Sequence, residues 1–150
     1  MSLICSFFGH RDTPLSSEIE LRLENTIKNL ISQGVYEFWC GNEGTFDTLT
    51  RMIMIRLKKD IPYLNLCFVS AYNPDNFPPL KRKTLEENFE IIYSIEIADG
   101  HPKFAITRRN KYMINNSDII VCYITDEKGG AYNAVKLAQK QNKEIINIAL

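Results

Sequence analysis

The chain has little that would direct it to a membrane, a metal or a strongly charged partner. Its 18 Lys and Arg balance 18 Asp and Glu, and the sequence pI is near 6.7. That balance lacks the broad electrostatic footprint of a nucleic-acid or anionic-membrane binder, so nucleic acid is not the expected partner. No apolar run approaches the ~20 residues a membrane span requires. The opening "MSLICSFFGHRD" carries no basic leader and no small-residue cleavage pattern, so it reads as a first strand and not an export signal. Only His10 and His101 are present, and the four cysteines form no CxxC pair, which argues against a metal centre and a disulfide framework. Cys5, Cys40, Cys67 and Cys122 each lie in an apolar, β-like run and read as buried thiols of a cytoplasmic protein. No metal and no cofactor is expected.

What is present is a regular alternation of strand and helix signals over 150 residues, the usual size of one domain. "LICSFF" reads as a strand. Residues 17–33 follow with Ile19, Leu23, Ile27, Leu30 and Ile31 at helical spacing, Ser17 and Glu20 as a capping box and Gly34 as the stop. "VYEFWC" is a second strand, leading through "GNEGT" into a helix with Leu49, Met52, Ile53 and Leu57 on one side. "YLNLCFVSAY" is a third strand, and "NPDNFPPLKRK", with three prolines, is the longest irregular connection. "FEIIYSIE" is a fourth strand, "FAITRRNKYMINN" a helix and "DIIVCYI" a fifth strand. A helix from about Gly130 to Gln141 and a sixth strand, "EIINIAL", complete the order. Continuously apolar strands separated by amphipathic helices predict an α/β fold: a Rossmann-like three-layer α/β/α sandwich whose mostly parallel sheet has about six strands, as a single domain over 1–150. Ligands of such sheets bind beyond the carboxyl ends of the strands, so the loops leaving those ends are the ones to inspect.

Those loops hold the unusual residues. After strand one, Gly9 permits close approach, His10 can donate or titrate and Arg11 offers a planar fork for phosphate. After strand two, Gly41, Asn42, Glu43, Gly44, Thr45 and Asp47 form a glycine-acid loop. Thr45 suits a helix cap, backbone N–H groups can face an anion, and the two carboxylates can accept from sugar hydroxyls. An ordinary capped helix start explains Thr45 and Asp47 equally well. Arg109 shares a helical face with Met113, while Arg108, turned by about 100°, belongs with Lys111 to a solvated basic face. After strand five, Gly129, Gly130 and Ala131 open a helix, an arrangement that binds anions and also makes a common turn.

Taken in order, "GHR", "CGNEGTFD", "RRNKYMINNSDIIV" and "KGGAYNAVKLAQ" resemble the SLOG superfamily. That Rossmann-like group includes the DNA-processing protein DprA, the LOG phosphoribohydrolases and small bacterial and phage proteins labelled DUF1273 or YspA-like, and the last of these look most similar. The resemblance covers nearly the whole chain and implies a nucleotide or nucleotide-derived ligand across the carboxyl edge of the sheet. It assigns Gly9, His10 and Arg11 to the first loop, Gly41, Glu43, Gly44 and Asp47 to the glycine-acid loop, Arg109 and Asn110 to the arginine before strand five, and Gly129, Gly130 and Ala131 to the phosphate loop. LOG enzymes carry a PGGxGTxxE loop where this chain has "KGGAYNAV". Lys128 replaces the proline, and Val135 and Lys136 stand where the acid would lie.

The leading expectation is therefore a binding module that holds an ADP-ribose-like, cyclic or NAD-derived nucleotide as a sensor or sequestering protein. In it an aromatic such as Tyr72, Phe77 or Tyr132 packs on the base, and relatives of the LOG type imply a homo-oligomer. The alternative is a LOG-like nucleotide N-glycosidase with Glu43 or Asp47 as the candidate catalytic group, since general acid-base work needs a carboxyl within reach of the bond. A third reading is a DprA-like nucleic-acid accessory protein, for which the neutral composition and the single "KRK" cluster at 81–83 offer little support.

Overall fold

The computed structural model describes residues 2–150. The chain runs β1 (Ile4–Gly9), α1 (Ser17–Ser32), β2 (Glu37–Cys40), α2 (Thr45–Asp60), β3 (Asn65–Val69), α3 (Pro79–Glu86), β4 (Glu90–Ile92), α4 (Ile95–Ala98), α5 (Ala105–Asn116), β5 (Ile119–Tyr123), α6 (Gly130–Lys140) and β6 (Glu144–Asn147). All six strands are parallel, in the order β4-β3-β2-β1-β5-β6. The Rossmann-like α/β architecture read from the sequence is the one observed.

Alternate side chains of each strand enter two separate cores, which is why the strands carry no polar face. Cys5, Phe7, Phe38, Cys40, Leu66, Phe68, Ile119 and Val121 meet the apolar stripes of α1 and α2. On the other side Phe8, Trp39, Cys67, Val69, Ile120 and Cys122 meet Ile97 of α4, Met113 and Ile114 of α5 and Ala134, Val135 and Ala138 of α6. The three small α6 side chains on that side leave room for the helix to lie close to the sheet. All four cysteines are buried and free. Burial pushes the Cys67 and Cys122 thiols up to about 12, so neither is a thiolate at neutral pH. Among the described residues no helix is long and apolar enough to cross a membrane, and no cluster of His, Cys, Asp and Glu is arranged to hold a metal ion.

Four local expectations need correction. The cap of α1 is Ser16, one residue earlier than Ser17: its extended backbone places Oγ 3.1 Å from the Ile19 N–H. In α2 it is Met54 that is buried, whereas Met52 is exposed. The segment 73–83 is not wholly irregular. Pro74 and Pro79 stand at the start of a 3-10 turn and of α3, where a fixed φ and a missing N–H do no harm, so two of the three prolines begin helical structure instead of breaking it. The fourth strand stops at Ile92, where pairing with β3 ends, and Ile95–Ala98 coils into a helical turn. The stop of α1 is as expected: Gly34, at φ +93°, ends it with Gly34 N–H to Ile31 O and Val35 N–H to Leu30 O, both 3.0 Å.

Candidate functional site

From β1 the chain steps outward through β2 and β3 to β4, then crosses back to place β5 on the other side of β1. This reversal is a topological switch point, and the loops leaving β1 and β5 diverge there to open a crevice. A cavity of about 450 Å³ lies at that point, within the range of a ligand-sized cleft. It is lined by Phe8, Gly9, His10, Arg11 and Asp12 from the end of β1, Glu43 and Asp47 from the β2–α2 loop and α2, Ile106, Arg109 and Asn110 from α5, and Asp126, Lys128, Gly129, Gly130 and Ala131 from the β5–α6 loop. Ten of the residues selected from the sequence thus meet at one place. Gly41, Asn42, Gly44 and Thr45 do not line it, while Phe8, Asp12, Ile106, Asp126 and Lys128 are additions. Asp12 and Lys128 could have been found from their positions beside "GHR" and the glycine pair.

The β2–α2 loop spends its polar groups on the protein itself. Thr45 N–H donates to Arg11 O at 2.9 Å, and Thr45 Oγ1 donates to Thr13 O at 2.7 Å. Thr45 is consequently the first residue of α2 and not its cap, a position held by Gly44. Gly44 sits at φ +100°, and a Cβ there would lie 2.4 Å from Arg11 Cα, so only glycine permits the contact. Gly9 is required for a similar reason, because a Cβ would lie 2.2 Å from the Phe46 ring. Asp47 is 6% exposed and turns inward, its Oδ2 accepting the Glu43 N–H at 2.7 Å. Burial raises the Asp47 carboxyl above its ordinary range, against the opposing pull of that hydrogen bond and of Arg109 and Arg51.

Arg109 is buried as well. Its Nε donates to Asn110 Oδ1 at 2.9 Å and its Nη1 to Val69 O at 3.3 Å, which leaves Nη2 3.8 Å from Glu43 Oε1. The other Glu43 oxygen accepts from Arg11 Nη2 at 3.2 Å, and that arginine side chain is 72% exposed. Glu43 and Asp47, the candidate acid-base groups, are thus committed to arginines and to loop backbone. Arg108 also departs from expectation. Instead of forming a solvated basic face with Lys111, it donates to Ile97 O and His101 O, both at 2.7 Å, and ties α5 to α4 and to the loop between them.

The β5–α6 loop is organised differently. His10 Nε2 accepts from both Thr125 N–H (3.0 Å) and Asp126 N–H (3.1 Å), so the imidazole anchors the base of this loop. Beyond the anchor, no side chain caps α6: Gly129, at φ +97°, has nothing within 4 Å of a would-be Cβ, and Gly130 has only Asn110 Nδ2, at 3.8 Å. The first N–H groups of this 11-residue helix have no intrahelical partner, and its first two residues, Gly130 and Ala131, line the cavity. Lys128 is 83% exposed beside them, 3.8 Å from Asp126. The lining therefore combines Arg11, Arg109 and Lys128 with Asp12, Glu43, Asp47 and Asp126. None of Tyr72, Phe77 and Tyr132 lines it, and Phe77 lies under Lys81 Nζ at 4.5 Å.

No protein-family model and no curated protein sequence matches the chain. Among the solved structures that share its fold are two DNA-processing proteins. DNA processing protein A (DprA) from Streptococcus pneumoniae superposes with a TM-score of 0.68 at 17% identity, covering 96% of this chain and 49% of its own. DNA processing protein A from Helicobacter pylori, described for its single-stranded DNA binding mode, gives 0.66 at 20% identity, covering 95% of this chain and 63% of its own. The chain thus spans from about half to under two thirds of the length of these proteins. They belong to the superfamily that the loop motifs resemble.

These neighbours overturn the expectation of a sensor or sequestering protein for a nucleotide-derived small molecule, and with it the exclusion of nucleic acid. The exclusion rested on net charge, which averages over the whole surface. In the structure much of that charge is paired locally: Arg82 of the "KRK" cluster contacts Asp75 and Glu86, and Arg56 contacts Glu24. A balanced total therefore does not report on the charge at any one place on the surface.

Proposed function

We propose that this domain binds single-stranded nucleic acid along the carboxyl edge of its sheet, as an accessory module of the DprA type. The carrying observation is the fold shared with DprA over nearly the whole chain, with a cavity at the β1/β5 switch point and an uncapped helix N-terminus opening into it. A phosphodiester would rest against the N–H groups of Gly130 and Ala131, with Arg11 and Lys128 as the mobile cations at the rim. A crevice of about 450 Å³ suits one or two nucleotide units of an unpaired strand. Gly9, Gly41 and Gly44 leave room for the Phe46 ring, for the Arg109 and Asp47 side chains and for the Arg11 backbone, Asn42 and Thr45 belong to the supporting loop, and His10, Asp47, Arg109 and Asn110 hold the walls in place.

Residues 1–150 act in this reading as one domain. The order of its loop motifs favours the DUF1273 or YspA-like branch of the superfamily, and four buried, unpaired thiols suit the reducing cytoplasm. The test is fluorescence anisotropy with a labelled oligothymidylate, titrated at several salt concentrations and challenged with unlabelled duplex. Saturable binding that weakens with salt and resists duplex competition is expected. Absence of single-strand binding at low salt would remove this function.

A further inference from the structure

The carboxylate of Glu43 lines the crevice between two arginines. It is held between the exposed Arg11 (Oε2 to Nη2, 3.2 Å) and the Arg109 nitrogen that has no hydrogen bond elsewhere (Oε1 to Nη2, 3.8 Å). The rest of Arg109 is committed to Asn110 and Val69. Carboxylate and phosphate oxygens compete for the same planar guanidinium forks. Glu43 is also three-quarters buried, so its charge is partly removed from solvent screening.

We infer that Glu43 is an internal counter-anion that sets the affinity and salt dependence of the crevice: a phosphate binds the two arginines only by displacing it. The inference rests on the proposed single-strand reading for the identity of the phosphate, but not for its electrostatics. Because Glu43 already neutralises Arg11, a phosphate arriving in the native protein releases few counterions from that side chain. Glu43→Gln keeps the side chain's size and removes the charge, while the Glu43 N–H to Asp47 bond, made by the backbone, is unaffected.

The experiment compares wild type and Glu43→Gln by anisotropy with the same oligothymidylate across a salt series. The variant is expected to bind roughly tenfold more tightly at low salt, with a log–log salt slope steeper by about 0.7 for each additional phosphate that the freed arginines neutralise. Unchanged or weaker binding overturns the inference, as it would mean that Glu43 helps hold the ligand or does not meet it. If neither protein binds the oligonucleotide, the nucleic-acid reading fails, and thermal shift with inorganic pyrophosphate then decides on Glu43 itself. A larger stabilisation of the variant than of wild type supports the displacement, and an equal or smaller one overturns it. Should Glu43→Gln melt far below wild type, Glu43→Ala is compared in the same two assays, with the same outcomes expected.

Discussion

Two helices of this domain begin at a glycine in nearly the same backbone conformation, and their surroundings differ. Gly44 before α2 has φ +100° and ψ −163°, and Gly129 before α6 has φ +97° and ψ 172°. Neither helix has a side-chain cap. At α2 the Thr45 N–H is taken by Arg11 O and Asp47 reaches back to the Glu43 N–H, so this end is stitched to the β1–α1 loop. At α6 nothing lies near Gly129, and the helix end faces the cavity. A glycine-led helix start is therefore either a structural joint or an open end, according to what the neighbouring loop supplies.

The largest expected effect tests the joint. Both glycines lie in a region that costs other residues roughly 1–3 kcal/mol. Gly44→Ala adds a contact of 2.4 Å with Arg11 Cα, a backbone atom that cannot move aside alone, so a loss of about 4 kcal/mol or more is expected in urea unfolding. Gly129→Ala meets open space and should lose only the backbone share, about 2 kcal/mol. Equal losses at the two positions would break the comparison. The next effect is that of Thr45→Val, which removes the hydroxyl donor to Thr13 O and should cost about 1–2 kcal/mol while leaving oligonucleotide affinity unchanged.

Asp47 adds a pH signature to the same joint. Its carboxyl is raised by burial, so in the window above the ordinary carboxylate range the folded chain holds a proton that the unfolded chain has released. Stability from this group therefore falls as pH rises through that window and then levels off. In Asp47→Asn that slope should be absent, and urea titrations from about pH 4 to pH 7 would show the difference. Parallel wild-type and variant curves would count against a buried, inward-facing Asp47.

Most of the architecture was legible because apolar runs and helical stripes report burial directly. The periodicity that put Arg109 on one helical face with Met113 holds in α5, where both side chains are buried. What was not legible was direction and partnership. "GNEGTFD" reads identically whether Thr45 caps α2 or is bonded to another loop, because its partners Arg11 and Thr13 lie more than 30 residues away in the chain. The prolines at 74 and 79 read as breakers because proline at the start of a helix and proline in a loop share one local signature. Net charge misled for the same reason: pairs such as Arg82 with Asp75 form only in the folded chain.

The smallest expected effect on stability is also the sharpest test of the open end. Lys128 projects into solvent beside Gly129, with only the long contact to Asp126, so Lys128→Ala should leave stability within about 0.5 kcal/mol of wild type. If the α6 end receives a phosphate, the same substitution removes one cation from its rim. Oligothymidylate binding should then weaken at low salt and its salt slope become shallower by about 0.7, with little effect at high salt, where a single screened contact contributes least. A stability loss comparable to that of Thr45→Val, with binding untouched, would instead make the α6 start a second structural joint, and the contrast with α2 would collapse.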